Sequence, residues 1–303
     1  MAKKLLFTFD VATVSKVLNH EIPNLFIDSI SIIETGWDHL VAEVNGEWIF
    51  RFPRTKGSIA NQERERDLLG YLKNHLSLSI PDFHYLGKET AFVGYQKIRG
   101  IHLNKQIYTS LDLKVRKHIA KSIASFFTEL HQAVSIDQAR QWGYAPIIRP
   151  LLEIELELLC TLPREIATMI NDAVSYACLD LSRGQVFCHQ DVNGDNMAWD
   201  ETTRQINGVF DFSDTGIGHY SLDFAELFVI DAELAILTAE IYAQMNNVVN
   251  PLMGGASDYV LRKATWIVLG RKNPVPQSEN ELLEGLRDFL PIWHDVVSRT
   301  VIV

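Results

Sequence analysis

From Ile27 to Arg54 apolar and polar residues alternate with a period of two, broken at Gly36 and at the dipeptide Asn45-Gly46. Alternation of that kind buries one side of an extended segment and leaves the other wet, so it predicts three strands, the last two joined by a tight hairpin. A short helix is expected ahead of them, at about Asp10 to Asn19. Behind them a charged helix from about Ser58 to His75 carries Leu68, Leu69 and Leu72 on one face and stops before Pro81. Strand-like pieces around "FHYLGK" and "TAFVGYQKI" complete a small sheet. From Ser110, read as an N-cap, the period changes: Leu113, Ile119, Ile123, Phe126, Phe127 and Leu130 recur at helical spacing. Further helical patterns cover about 148–160, 164–181, 222–245, 257–269 and 279–297, and the short β-like runs "QVFC", "NMAWD" and "INGVFDF" interrupt them. The expected class is α+β, β-rich at the N-terminal end and mostly helical beyond about Gly100.

Composition changes this picture only slightly. The chain of 303 residues, 47% hydrophobic, is long enough for one large domain or for two lobes around a shared cleft. No apolar run approaches the roughly 20 residues of a membrane helix, since Asp231 and Glu233 break the richest one, and the opening "MAKKLLFTFD" is too short for a secretory signal. A cytoplasmic protein is the expectation. Cys160, Cys178 and Cys188 lack metal-ligand spacing and read as reduced, buried thiols. The net charge of −10 divides into −2 over residues 1–195 and −8 over 196–303. That balance argues against a nucleic-acid partner; it suits a cationic ligand or Mg²⁺, or simply a soluble acidic surface. The sequence carries no signal for an oligomeric state.

The chemistry is concentrated in "CHQDVNGDNMAWDETTRQINGVFDFSD". Asp191 stands five residues before Asn196, and Asp211 follows on the far side of the turn "ETTRQING". A hairpin there returns Asp211 toward Asn196, so that a carboxylate and an amide oxygen share a Mg²⁺ while Asp191 stays available to accept a proton. Transfer of a phosphoryl group from a nucleoside triphosphate to a hydroxyl requires that division of labour.

"HQDVNGDN" has the spacing H-x-D-x-x-x-x-N of a kinase catalytic loop, and "FDFSD" resembles its magnesium segment. With "ETGWDHLVAEVNGEWIFRFPR", "FVGYQKIRG", "IASFFTELH" and "DTGIGHYSLDFAEL" in order along the chain, the sequence resembles the aminoglycoside phosphotransferase family and its macrolide relatives. The resemblance implies a protein-kinase-like two-lobed fold, with residues 1–97 as a small β-rich nucleotide-binding lobe and 98–303 as a larger, mostly helical catalytic and acceptor-binding lobe. It implies ATP or GTP as donor, Mg²⁺ as cofactor and a small hydroxylated, cationic acceptor such as an aminoglycoside. Asp191 becomes the base; Asn196 and Asp211 hold Mg²⁺; Arg51 contacts the phosphates and pairs with Glu65; Tyr95, Gln96 and Ile98 form the gate and hinge for the purine. Asp223 becomes a structural brace of the loop. Arg51 departs from the Lys of many relatives and loosens the aminoglycoside assignment, because a guanidinium binds as a fork and an ammonium as a point.

Other readings stay open. Asp214 could reach a second Mg²⁺ or the substrate, or be a solvated turn residue. Asp231 and Glu233, like Glu226, could bind ammonium groups or form an ordinary solvated helix face. His189 is expected to pack within the loop, Gly216 and Gly218 to be turn residues, Trp266 to lie in the core, and His102, His118 and His131 to be too scattered for a metal site. The alternatives in function are a kinase for a macrolide or a metabolite alcohol, and a silent pseudokinase that only binds.

Overall fold

Asp10 opens the described chain by capping α1 (Val11–Glu21), its carboxylate accepting the Thr13 N–H at 2.7 Å. The structure is a computed structural model, and it describes residues 10–33, 39–147, 159, 161–177, 184–272 and 277–300. Gly36, Cys160, Cys178 and nearly all of the helix expected at 148–160 lie outside these residues. The chain divides into two compact units: Met1–Gly100 with Asn207–Ser213, and Ile101–Ile206 with Asp214–Val303.

In the first unit the alternating segment forms β1 (Ile30–Ile33), β2 (His39–Val44) and β3 (Trp48–Pro53), followed by α2 (Lys56–Leu72), β4 (Phe83–Leu86) and β5 (Val93–Gln96). The antiparallel sheet is ordered β1-β2-β3-β5-β4. Asn45 and Gly46 turn β2 into β3 with φ of 55° and 68°, both left-handed, and with Glu47 they make the three-residue loop between the paired Val44 and Trp48. Val14 and Leu18, four residues apart on one helical face, pack with Ala42, Val44, Phe50, Phe52 and Phe92 into the core of this unit. Thr55 caps α2, whose buried residues are Ser58, Gln62, Glu65, Leu68, Leu69 and Leu72; three polar residues thus share the buried face with the leucines. The later segment Asn207–Ser213 joins this unit through a parallel bridge to Ser79, which donates to the Asn207 carbonyl at 3.1 Å and accepts from Val209 N–H at 3.0 Å.

Packing in the sheet is tight at Gly94, where an added Cβ would lie 2.4 Å from the Phe50 ring. Gly94→Ala is therefore expected to destabilise the protein by roughly 1–3 kcal/mol, read as a lower denaturant midpoint at unchanged slope. An unaltered midpoint would mean that Phe50 yields freely.

The second unit holds β6 (Ile101–His102), α3 (Lys105–Ser110), α4 (Leu113–Ala133), α5 (Ile136–Gln141), α6 (Arg164–Ala177), β7 (Gln185–Cys188), a 3-10 turn (Gly194–Asn196), β8 (Met197–Asp200) and the start of β9 (Gln205–Val209). Then come β10 (Gly216–His219), a second 3-10 turn (Tyr220–Phe224), α7 (Leu227–Ile230), α8 (Ala232–Asn246), α9 (Leu252–Lys272) and α10 (Glu279–Thr300). The stripe on α4 is buried as its period requires from Ile119 to Leu130. Its cap is Asp112, which accepts the Val115 N–H at 3.0 Å, and not Ser110, which ends α3 and bonds back to the Ile107 carbonyl.

Three further expectations are corrected. Gly216 and Gly218 stand in β10, paired with Cys188 and Val186 of β7. They are glycines because a Cβ would meet Ile147 at 2.8 Å and Leu222 at 2.7 Å. The apolar run 222–245 is broken where Asp231, at φ −166°, leaves one helix and caps the next. Trp266 is 43% exposed rather than core. Among the described residues no helix is long and apolar enough to cross a membrane.

Candidate active site

In the first unit β3 carries Arg51 into the interior, 5% exposed, across from Val41. A buried guanidinium must be paired, and α2 supplies the partner: Arg51 Nη1 donates to Glu65 Oε1 at 2.7 Å. Gln62, one turn earlier, donates to the Arg51 carbonyl at 3.1 Å and ties helix to strand. Nη2 lies 3.4 Å from His39 Nδ1 and 3.7 Å from Asp211 Oδ1. Burial works against the charge on Arg51, but Glu65 and Asp211 outweigh it and hold the guanidinium protonated well beyond its ordinary range. Burial pushes the Glu65 carboxyl up, and Arg51 opposes that shift.

Asp211 sits at φ 62°, a left-handed conformation unusual for a residue with a Cβ. Ser213 Oγ donates to its carboxylate at 2.7 Å, and the backbone of the buried Phe212 hydrogen-bonds Glu65. Arg51, Glu65 and Asp211 are thus brought together, with two carboxylates on one cation. At the end of β5 Tyr95 is buried beside Phe83, its hydroxyl pushed up by burial, whereas Gln96 is exposed. The following residues are fixed from the β2–β3 hairpin: Lys97 Nζ donates to Glu43 and its N–H to the Glu47 carbonyl, both at 2.7 Å. Ile98 is half-buried and Asp214 exposed.

In the second unit the loop after β7 is held from several sides. Asp223, 1% exposed, accepts the N–H groups of His189 at 3.2 Å and Gln190 at 2.6 Å. His131 Nε2 is 2.8 Å from the same carboxylate and Nδ1 is 2.8 Å from the Tyr242 hydroxyl. A carboxylate only accepts, so Nε2 donates to Asp223. Asp223 braces the loop, and His131, the terminal residue of "IASFFTELH", braces Asp223. Cys188 Sγ shares this neighbourhood, within 4.8 Å of the His131 and Asp223 donor atoms, so these side chains are closer together than the sequence suggested. Their donors are committed to hydrogen bonds, the thiol donating to the His219 carbonyl at 3.5 Å, which makes the group a brace rather than a metal cage.

The loop aims one carboxylate. Asp191 Oδ1 accepts from Asn193 Nδ2 at 2.8 Å and Oδ2 from Asn196 Nδ2 at 2.7 Å, while Asn196 Nδ2 also reaches the Asp191 carbonyl at 2.9 Å. The amide nitrogen of Asn196 is therefore turned to Asp191, and its oxygen is the end left for a cation. His189, fully buried, accepts the Asp191 N–H on Nδ1 at 3.2 Å, a packing role as expected. Gly194 brings the loop against β6, whose extension places the Leu103 carbonyl 2.2 Å from where a Cβ would stand. The left-handed Gln190, φ 77°, immediately precedes Asp191.

The acidic candidates are used within the unit. Asp231 caps α8 by accepting the Glu233 N–H at 2.9 Å, Glu233 pairs with Arg116, and Glu226 pairs with Arg262 at 3.0 Å.

The family described as the phosphotransferase enzyme family matches residues 29–256. Among solved structures the chain is similar to the GDP complex of aminoglycoside 2'-phosphotransferase-IIIa, with 20% identity and a TM-score of 0.81 over 93% of this chain and 99% of that one. It is similar to APH(2'')-IIa in a ternary complex with streptomycin and ATP, at 21% identity and TM-score 0.67 over 94% and 97%. It is similar as well to macrolide 2'-phosphotransferase MphH from Brachybacterium faecium, at 16% identity and TM-score 0.64 over 87% and 92%.

Proposed function

Because the chain belongs to the phosphotransferase enzyme family, we propose that it is a small-molecule kinase moving the γ-phosphoryl group of ATP or GTP to an acceptor hydroxyl, with an aminoglycoside as the leading acceptor and its inactivation as the outcome. The observation that carries the reading is the loop geometry: Asp191 is held by two amide donors and offers its carboxylate as the proton acceptor. In the step proposed, Asp191 takes the hydroxyl proton as the hydroxyl oxygen bonds to the γ-phosphorus, and the bond to the β–γ bridging oxygen breaks to release the nucleoside diphosphate. Arg51, kept charged by Glu65, binds the phosphates, and the chain from Tyr95 to Ile98 receives the purine through the backbone of Gln96 and Ile98.

The oxygen donors of Asn196 and Asp211 suit Mg²⁺, a hard cation that favours carboxylate and amide oxygens. When bound there, Mg²⁺ neutralises phosphate charge. Asp211→Asn is expected to weaken nucleotide binding in Mg²⁺ by more than the roughly 10- to 100-fold seen when a partner behind the ligands is lost. Binding titrations with and without Mg²⁺ check this, and an unchanged affinity refutes the placement of Asp211.

A second reading, a macrolide or metabolite-alcohol kinase, is favoured by one feature: Glu226 and Glu233 each have an internal cation, which leaves less negative charge for a polycationic acceptor. Nucleotide consumption separates the two, measured with ATP and with GTP in Mg²⁺ against aminoglycosides, macrolides and small alcohols. Stimulation by aminoglycosides supports the first reading and by a neutral or singly charged acceptor the second. Silence with intact nucleotide binding sinks both and leaves a pseudokinase.

A further inference from the structure

Arg262 lies near the middle of α9, far in sequence from the loop it touches. Nε donates to Asp258 Oδ2 at 2.8 Å, one turn earlier, and Nη1 to Glu226 Oε1 at 3.0 Å. Nη2 reaches the catalytic-loop segment itself, 2.9 Å from the Gln190 carbonyl oxygen and 3.2 Å from Gln190 Oε1. The side chain is 20% exposed, and Asp258 beneath it 2%. Burial disfavours its charge, yet Asp258, Glu226 and, more distantly, Asp191 together raise its pKa beyond the ordinary range.

We propose that Arg262 is a positioning residue for phosphoryl transfer, gripping the Gln190–Asp191 peptide and thereby aiming the Asp191 carboxylate. The inference rests on the assignment of Asp191 as the base. Gln190 has φ 77°, a conformation that a residue with a Cβ keeps only where surrounding contacts over-determine it. Asp223 holds the Gln190 N–H from one side. That contact does not fix the next peptide plane, which is held at both ends: His189 Nδ1 accepts its N–H at 3.2 Å, and Arg262 takes its carbonyl oxygen at 2.9 Å. Turning that plane changes ψ of Gln190 and φ of Asp191 and swings the carboxylate away from Asn193 and Asn196. The planar fork of a guanidinium can anchor to Asp258 and Glu226 while still donating to the peptide; an ammonium keeps the charge but not the fixed directions. Sequence reading had no signal for this residue, since an Arg on a mixed helix is ordinarily a solvated one.

The test compares Arg262→Gln and Arg262→Lys with the wild-type chain by three measurements. These are hydrolysis of Mg·ATP and Mg·GTP with water as acceptor, deuterium exchange of the 189–191 amides, and thermal melting. Arg262→Gln is expected to lower kcat by ~100-fold, the loss that a misplacement of about 1 Å causes, with nucleotide KM unchanged and faster exchange at 189–191. Arg262→Lys, which retains the charge, is expected to show the faster exchange and an intermediate kcat. If Arg262→Gln does not fold, the lysine variant decides. Unaltered exchange and kcat in a folded variant overturn the proposal, as does a lysine variant indistinguishable from wild type, because charge alone would then suffice. If the wild type turns over neither nucleotide with water or with any acceptor of the panel above, the assignment of Asp191 fails first, and unaltered exchange would overturn the grip independently.

Discussion

Asp191→Ala is expected to lower turnover by at least the ~10²–10⁴-fold that a positioned general base contributes, while nucleotide binding is retained. The carboxylate does little for the fold. Its oxygens accept from the half-buried Asn193 and from Asn196, whose Nδ2 keeps the Asp191 carbonyl as acceptor, and the loop backbone is held by Asp223 and Arg262 without the carboxylate. Removing the carboxylate deletes the group proposed as base and leaves the frame. Steady-state kinetics with the stimulating acceptor, beside calorimetric titration of nucleotide, separate the two effects. Turnover within tenfold of wild type would remove Asp191 from the chemistry. Loss of nucleotide binding with turnover would instead assign it to the frame.

The second large effect is on stability. Glu65→Ala leaves the Arg51 guanidinium buried with Asp211, 3.7 Å away, as its other acidic neighbour. Breaking a buried pair by deleting one partner costs roughly 3–5 kcal/mol, far above the worth of an exposed ion pair. Denaturant unfolding should show that loss, and turnover should fall because Arg51 is no longer held across from α2. Replacing both members by apolar residues makes the contrast: Arg51→Met with Glu65→Leu is expected to recover much of the stability, since desolvation of both charges is avoided. It should recover none of the activity. If the double variant stayed as unstable as Glu65→Ala, cavity formation rather than charge would govern the site. If Glu65→Ala cost under about 1 kcal/mol, the pair would behave as a solvated one.

Much of this was visible in the chain, for reasons that differ by element. The hairpin at Asn45-Gly46 and the stripe on α4 follow from local rules, a left-handed turn pair and a helical period, that no distant residue has to endorse. The candidate site was legible as far as it is linear: Asp191 and Asn196 lie on one turn of loop, and their contact at 2.7 Å needs only short-range folding. What failed was long-range or close in rank. β10 reads as a turn because its pairing with β7 and the approach of Ile147 to Gly216 both come from distant stretches of the chain. Ser110 and Asp112 are both good caps two residues apart, and the choice falls to which helix each one serves. His131 is 92 residues from the Asp223 that it supports, and Arg262 is 72 residues from Gln190, so neither has a spacing to read. The partners of Glu226 and Glu233 were hidden in the same way, and with them the fact that part of the acidic surface is already neutralised.

The interleaving of the two units sets an order on their making. Residues 1–100 leave a ribosome long before Asn207–Ser213, the strip that completes the same unit and carries Asp211 to Arg51. At elongation rates of about 5–20 residues per second the delay is roughly 5–20 s. The sheet can form in that interval, but Arg51 and Glu65 must wait with an incomplete set of charges. The surroundings of Arg51 are thus among the last parts of the first unit to be finished, and a nascent chain stopped anywhere before Asp211 lacks the second carboxylate beside that guanidinium.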